Sequence, residues 1–161
     1  MAHHTFEAPI DRVWAMFIDK DSHIAKFEGM GHREVELLES DFVDDVFTIK
    51  ITRLVDVELP GFAKKVLKPT NTVVTTDEWR SNGDGTYGGH FELDTIGAPV
   101  DVKGTTRITP DGDRTAYRLT FDFNVNVPII GGKIANWART DVEKQIALEF
   151  EAGDKWLASH P

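Results

Sequence analysis

The residues best suited to chemistry in this chain are six histidines, a scatter of carboxylates and several glycine-rich turns. His3, His4, His32 and His90 would meet only if three different strands aligned. No pair has the i, i+4 spacing of a zinc protease helix, and no HExxH motif occurs. His90 falls between Gly89 and Phe91, which puts it on the wet face of a strand that turns Tyr87 and Phe91 inward. Asp111-Gly112-Asp113 lacks the other ligands of a calcium loop. No metal site is expected. The chain contains no cysteine, so thiol catalysis, disulfides and cysteine-ligated metals are excluded, and no nucleophile elbow occurs. Gly83-x-Gly85-x-x-Gly88 has the form of a dinucleotide fingerprint, but that motif needs a helix N-terminus after it to meet the pyrophosphate. Here a strand follows, so the glycines are expected to make a hairpin turn, and no cofactor is expected. Acid–base chemistry would need a carboxylate or histidine held in a dry pocket. Asp77 is the one weak candidate, because it shares strand parity with Val73 and Trp79. The plainer expectation pairs it with Arg107 or Arg118 on a neighbouring strand, or leaves it at a wet rim.

The elements that would position these residues are written more clearly. Tyr117, Leu119, Phe121, Phe123, Val125 and Val127 alternate with polar residues, the mark of a strand with one dry face. Pro128 and Gly131-Gly132 break this pattern. The glycine pair could offer N–H groups to an anion, but is better explained by a close turn from strand to helix. Ile134, Ala138, Val142, Ile146 and Phe150 then recur every four residues, predicting a C-terminal helix of roughly 25 residues and ~38 Å. At the other end, His3–Glu7 reads as a strand. A helix beginning near Pro9 carries Ile10, Val13, Trp14 and Phe17. A second short helix, capped by Asp21 or Ser22, carries Ile24 and Phe27 and ends at Gly29 and Gly31. Further strands are predicted at Arg33–Glu39, around Phe47, Ile49 and Ile51, at Val73–Arg80, Tyr87–Leu93 and Val100–Ile108. Asn82-Gly83-Asp84-Gly85 and Pro110–Asp113 supply hairpin turns.

Six strands without intervening helices cannot form a parallel sheet. The predicted fold is α+β: a curved, seven-stranded antiparallel sheet wrapped around a long C-terminal helix, with two short helices after the first strand. Gly88, Gly89 and Gly104 would allow the bends. The 161 residues suit a single domain spanning 1–161, with no linker and no internal repeat. A net charge of -9, from 27 acidic and 18 basic residues, argues against a nucleic-acid partner. There is no apolar run long enough for a membrane span and no basic-then-apolar leader at the N-terminus. With no cysteine, these features lead us to expect a cytoplasmic protein.

Three stretches carry a resemblance: Leu59-Pro60-Gly61-Phe62; Glu78-Trp79-Arg80 followed by Gly83-Asp84-Gly85-Thr86; and Val127-Pro128-Ile129-Ile130-Gly131-Gly132-Lys133-Ile134. On these the chain resembles the START-like helix-grip (SRPBCC-type) superfamily, which contains lipid-transfer domains, polyketide cyclases and birch-pollen-type allergens. More closely it resembles an actinobacterial branch of uncharacterised function. The resemblance spans nearly the whole chain, but it rests on turn and packing residues, so it speaks to fold and not to reaction. It implies a cavity between sheet and last helix for an apolar small molecule.

Inward parity assigns Phe47, Trp79, Tyr87, Phe91, Tyr117, Leu119 and Phe121 to the wall of that cavity, expected to be about 300–1,000 Å³, with Trp137 contributed by the helix. Segment 60–69 interrupts the strands. Phe62 and Val66, one helical turn apart, would give a short helix an apolar side that also touches the ligand, and Lys64, Lys65 and Lys68 make it locally basic. It is expected either to complete the core as a cap or to act as a lid that touches an anionic membrane surface. The leading expectation is noncatalytic binding or carriage of a lipid-like or polycyclic molecule. The alternatives are a cyclase- or dehydratase-type enzyme using Asp77 or a cavity tyrosine, and a protein-interaction module. The oligomeric state is left open.

Overall fold

In the computed structural model, which describes residues 1–161, the alternating segment forms β7 (Arg114–Val125), burying Thr115, Tyr117, Leu119 and Phe121 while Arg118 and Asp122 face solvent. Around it lie β1 (Ala2–Phe6), α1 (Ile10–Phe17), α2 (Lys20–Gly29), β2 (Arg33–Val43), β3 (Val46–Asp56), β4 (Thr70–Ser81), β5 (Tyr87–Thr95), β6 (Val100–Asp111) and α3 (Gly131–Ser159). All neighbouring strands are antiparallel, in the order β1-β7-β6-β5-β4-β3-β2. The first strand therefore lies beside the last, and β1 and β2 form the two edges. This is the predicted seven-stranded sheet with its two short helices and long terminal helix.

Several boundaries differ from expectation for local reasons. α2 is capped by Asp19, whose carboxylate accepts the Asp21 N–H at 2.9 Å. Ser22 is instead buried, its hydroxyl donating to the Met16 and Asp19 carbonyls. β2 runs on to Val43 because Asp44 and Asp45, at φ 52 and 63, make the tight two-residue turn that favours left-handed residues. Two register shifts, between Arg33 and Glu36 and between Leu37 and Glu39, bend β2 against β3. β7 stops at Val125, and α3 is 29 residues long.

α3 lies in the concavity of the sheet. Ile134, Ala138 and Ile146 are buried there, with Val142 and Phe150 packed against the main core. Gly153 lets the Phe6 ring approach; a Cβ there would sit 2.8 Å from it. A second, smaller core forms at the N-terminal end of α3, where Ala63 and Leu67 meet Ile134. Segment 60–69 contains only a single 3-10 turn, Gly61–Ala63, in place of the predicted short helix. Its buried residues are Ala63 and Leu67, while Phe62 is 37% exposed. Ala63 and Leu67 turn inward together because the Leu67 N–H bonds back to the Ala63 carbonyl at 2.8 Å.

The curvature is built into close backbone crossings. A Cβ on Gly89 would overlap the Glu78 carbonyl oxygen, and one on Gly104 would overlap the Thr120 carbonyl and the Phe91 ring. Gly132 in α3 faces open space. Gly104→Ala is therefore expected to destabilise the fold by at least about 2 kcal/mol, lowering the melting temperature by roughly 4–8 °C. Gly132→Ala should be neutral or slightly stabilising. Calorimetric melting of the two variants checks this, and an unshifted Gly104→Ala would remove the close-crossing argument.

Candidate functional site

Between the concave sheet face and α3 lies a cavity of about 210 Å³, below the range expected for a drug-sized pocket. Leu67, Leu93, Val102, Phe123 and Val142 are among its apolar walls. Of the residues expected in its wall, Trp79, Phe91, Tyr117, Leu119 and Trp137 line it, and so does Asp77. Phe47, Tyr87, Phe121, Phe62 and Val66 lie outside the lining. Phe47 is covered by His23 of α2 and by Phe42, and Tyr87 stacks on Trp14 of α1 at 4.2 Å. Phe121 packs edge-on against Phe123. Val66 packs in the small core at the start of α3. The short helices and their aromatic stacks, including Phe17 on Trp79 at 4.3 Å, fill one end of the space. The cavity is what remains.

One part of the wall is polar, and most of its residues went unassigned in the sequence. Arg53 on β3 is only 3% exposed. Its Nε donates to His32 Nδ1 at 3.1 Å, one terminal nitrogen donates to Thr75 Oγ1 at 2.6 Å, and the guanidinium lies 3.7 Å over the Phe27 ring. No carboxylate comes within ion-pair distance of it. Burial lowers its pKa to about 10, so it remains charged. His32 accepts at Nδ1 and so carries its proton on Nε2, which is buried and unpaired. Burial and Arg53 together lower its pKa to about 4. Gln145 lies close enough to oppose that shift, yet its Oε1 is buried without a hydrogen bond.

Asp77 also faces inward. Arg107 and Arg118 are exposed on the other side of the sheet, so the expected pairing is replaced by the weaker fields of Lys26 and Arg53. Its side chain keeps 15% of its surface accessible, where it borders the cavity. Desolvation, opposed by Lys26, raises its pKa to about 6. His23 Nε2 donates to the Phe17 carbonyl at 2.8 Å, which turns the Nδ1 lone pair toward Asp77 Oδ2 at 3.9 Å. Desolvation lowers His23 to about 3, so the imidazole is neutral and the two do not form an ion pair near pH 7. Tyr117 is pushed well above its ordinary pKa by burial and stays a neutral phenol. No cluster of side chains suited to a metal ion is present. The arrangement can donate hydrogen bonds to an oxygen inside a largely apolar space.

The signals for the polar wall were present but weak. Arg53 continues the inward parity of Phe47, Ile49 and Ile51, and His23 lies one turn before Phe27 on the buried side of α2.

Over residues 1–157 the sequence matches the family described as Protein of unknown function (DUF2505). No curated protein matches it. Among solved structures, TTHA0849 from Thermus thermophilus aligns at a TM-score of 0.66 and 14% identity, covering 99% of this chain and 96% of that one. Ara h 8.0201 aligns at 0.64 and 12% identity, covering 98% and 95%. Human STARD10 aligns at 0.60 and 10% identity, covering 98% of this chain and 65% of that one. At these identities the likeness establishes the START-like helix-grip fold.

The raised pKa of Asp77 makes stability depend on pH. The unfolded chain releases this proton near 3.8 and the folded protein near 6. The protonated side chain thus stabilises the fold fully below about 3.8, and that contribution is lost as pH rises through about 6. Asp77→Asn should therefore be more stable than wild type at pH 7.5 by about 1–3 kcal/mol, with the advantage vanishing near pH 4. Urea unfolding at the two pH values measures it; an equal difference at both would contradict a buried, protonated Asp77.

Proposed function

Since the chain belongs to the DUF2505 family, whose description assigns no activity, we propose from the cavity itself that this protein binds and carries a hydrophobic small molecule between the sheet and α3. The observation that carries this reading is the largely apolar hollow left under α3. Filling it removes ligand surface from water at roughly 25 cal/mol per Å².

Segment 60–69 supports the reading that cargo is exchanged at a membrane. Leu67 reaches the cavity wall, while Lys64, Lys65 and Lys68 are exposed beside half-exposed Phe62. Ile129, next to the start of α3, is fully exposed and holds a left-handed φ of 71, which is unusual for a β-branched residue. Apolar tips flanked by lysines in an acidic protein fit an anionic lipid surface. A second reading, an acid–base enzyme of the cyclase or dehydratase type, draws on inward-facing Asp77 with its raised pKa. Carriage fits better, because Asp77 makes no hydrogen bond to a partner that would relay its proton.

Two experiments test these readings. A neutral solvatochromic dye such as Nile red should bind wild-type protein. Ala138→Phe, which fills the cavity from α3, should weaken that binding by more than about tenfold while melting as a folded protein. Undiminished binding to the filled variant would place the dye elsewhere and remove the carrier reading. Separately, Lys64→Gln, Lys65→Gln and Lys68→Gln combined should weaken cosedimentation with phosphatidylglycerol vesicles by about 100-fold, at roughly 1 kcal/mol per lysine. No binding of the wild type would end the membrane reading.

A further inference from the structure

A buried guanidinium is the least expected feature of an apolar cavity. A guanidinium has five N–H groups in a planar fork, and only two hydrogen bonds engage that of Arg53, to His32 and to Thr75. The second terminal nitrogen has no partner within the protein, although the residue lines the cavity. Burying a charge without an opposite charge in contact is costly. Phe27 beneath the guanidinium and distant Asp77 and Glu149 offset that cost in part. Two further polar atoms, His32 Nε2 and Gln145 Oε1, are buried and unpaired on residues that line the same space. The site thus joins one fixed positive charge, with free N–H groups on Arg53 and the Nε2–H of His32, to one unpaired acceptor, Gln145 Oε1, near His32.

We propose that the cargo is an amphipathic carboxylate, an apolar body ending in a single oxyanion that docks on the free edge of the Arg53 guanidinium and takes a further hydrogen bond from His32 Nε2. This rests on the carrier reading above and specifies its ligand. The planar fork matches a carboxylate with two parallel N–H···O bonds. The surrounding charges favour a monoanion. The fields of Glu149 on α3 and Asp77 on β4 both reach the guanidinium from a distance, and Lys26 on α2 is a further cation acting on Asp77. A dianionic phosphate would add its second charge against those two carboxyls. The aliphatic and aromatic walls formed by Leu93, Val102, Leu119 and Trp137 then hold the apolar body.

The test compares decanoate, decyl phosphate and decanol, each titrated calorimetrically against wild type, Arg53→Met and Arg53→Lys. Wild type should bind decanoate at least about tenfold more tightly than decanol, the worth of a charge-assisted hydrogen-bonded pair. Decyl phosphate should bind more weakly than decanoate. Arg53→Met should lose about 10- to 100-fold for decanoate and much less for decanol, and Arg53→Lys should fall between. Equal loss of acid and alcohol in Arg53→Met, or no loss of acid, would overturn the proposal. So would a wild type that takes decanol and refuses decanoate, a result that leaves the carrier reading standing. Tighter binding of decyl phosphate than of decanoate would overturn the monoanion assignment. If wild type binds none of the three and no Nile red, the carrier reading fails and the inference falls with it. The acid-against-alcohol contrast needs no variant, so a poorly folding Arg53→Met does not protect the proposal.

Discussion

A helix is about 10 Å across, whereas seven strands laid flat at about 4.8 Å spacing would present a face roughly 29 Å wide. One helix must nevertheless keep that face dry, because no other long element is available. The mismatch can be met only by rolling the sheet around α3, and the side-chain-free crossings at Gly89 and Gly104 are where the roll is made. Rolling does not produce a perfect fit. α1 and α2 fill one end with stacked rings, the segment around Ala63 and Leu67 fills the other, and the middle stays open. The hollow is thus a geometric remainder of covering a wide surface with a narrow rod.

What that remainder is used for depends on charge as much as on shape. The dry surroundings that keep His23 and His32 neutral and hold a proton on Asp77 to about pH 6 leave Arg53 ionised. A region of low polarity with one persistent cation differs chemically from a smooth greasy pocket. It would orient an anionic group brought into it, because electrostatic attraction is strongest where water is excluded. Phe27 contributes to this by presenting the face of its ring to the guanidinium, which holds the fork in place without neutralising it.

The architecture could be read from periodicity because the dry faces are nearly continuous. Period two in Tyr117–Phe121 and period four from Ile134 to Phe150 each tie a residue to a face, and the face decides burial. The cavity wall was less legible for a physical reason. Parity says which side of a strand a residue occupies, but not what stands opposite it. Phe47 and Tyr87 point inward as expected, and α2 and α1 happen to cover them with His23 and Trp14. Arg53 obeyed the same alternation, yet a cation at an inward position reads as an exception until a neighbour such as Phe27 is seen beneath it. His32 lies in a connector with no periodicity at all. The Asp44-Asp45 turn lacks the glycine that signals a tight hairpin, which is why β2 reaches four residues beyond its expected end.

The bends in β2 have a consequence outside the cavity. An outermost strand offers unpaired N–H and C=O groups to any passing chain, the template for open-ended stacking of copies. Here the two register shifts twist that border out of a straight ladder, and Glu34, Glu36, Glu39 and Asp41 along it would have to crowd against the same carboxylates of an incoming copy. A curled, partly hollow sheet is thereby guarded at the margin where fibrils would otherwise begin.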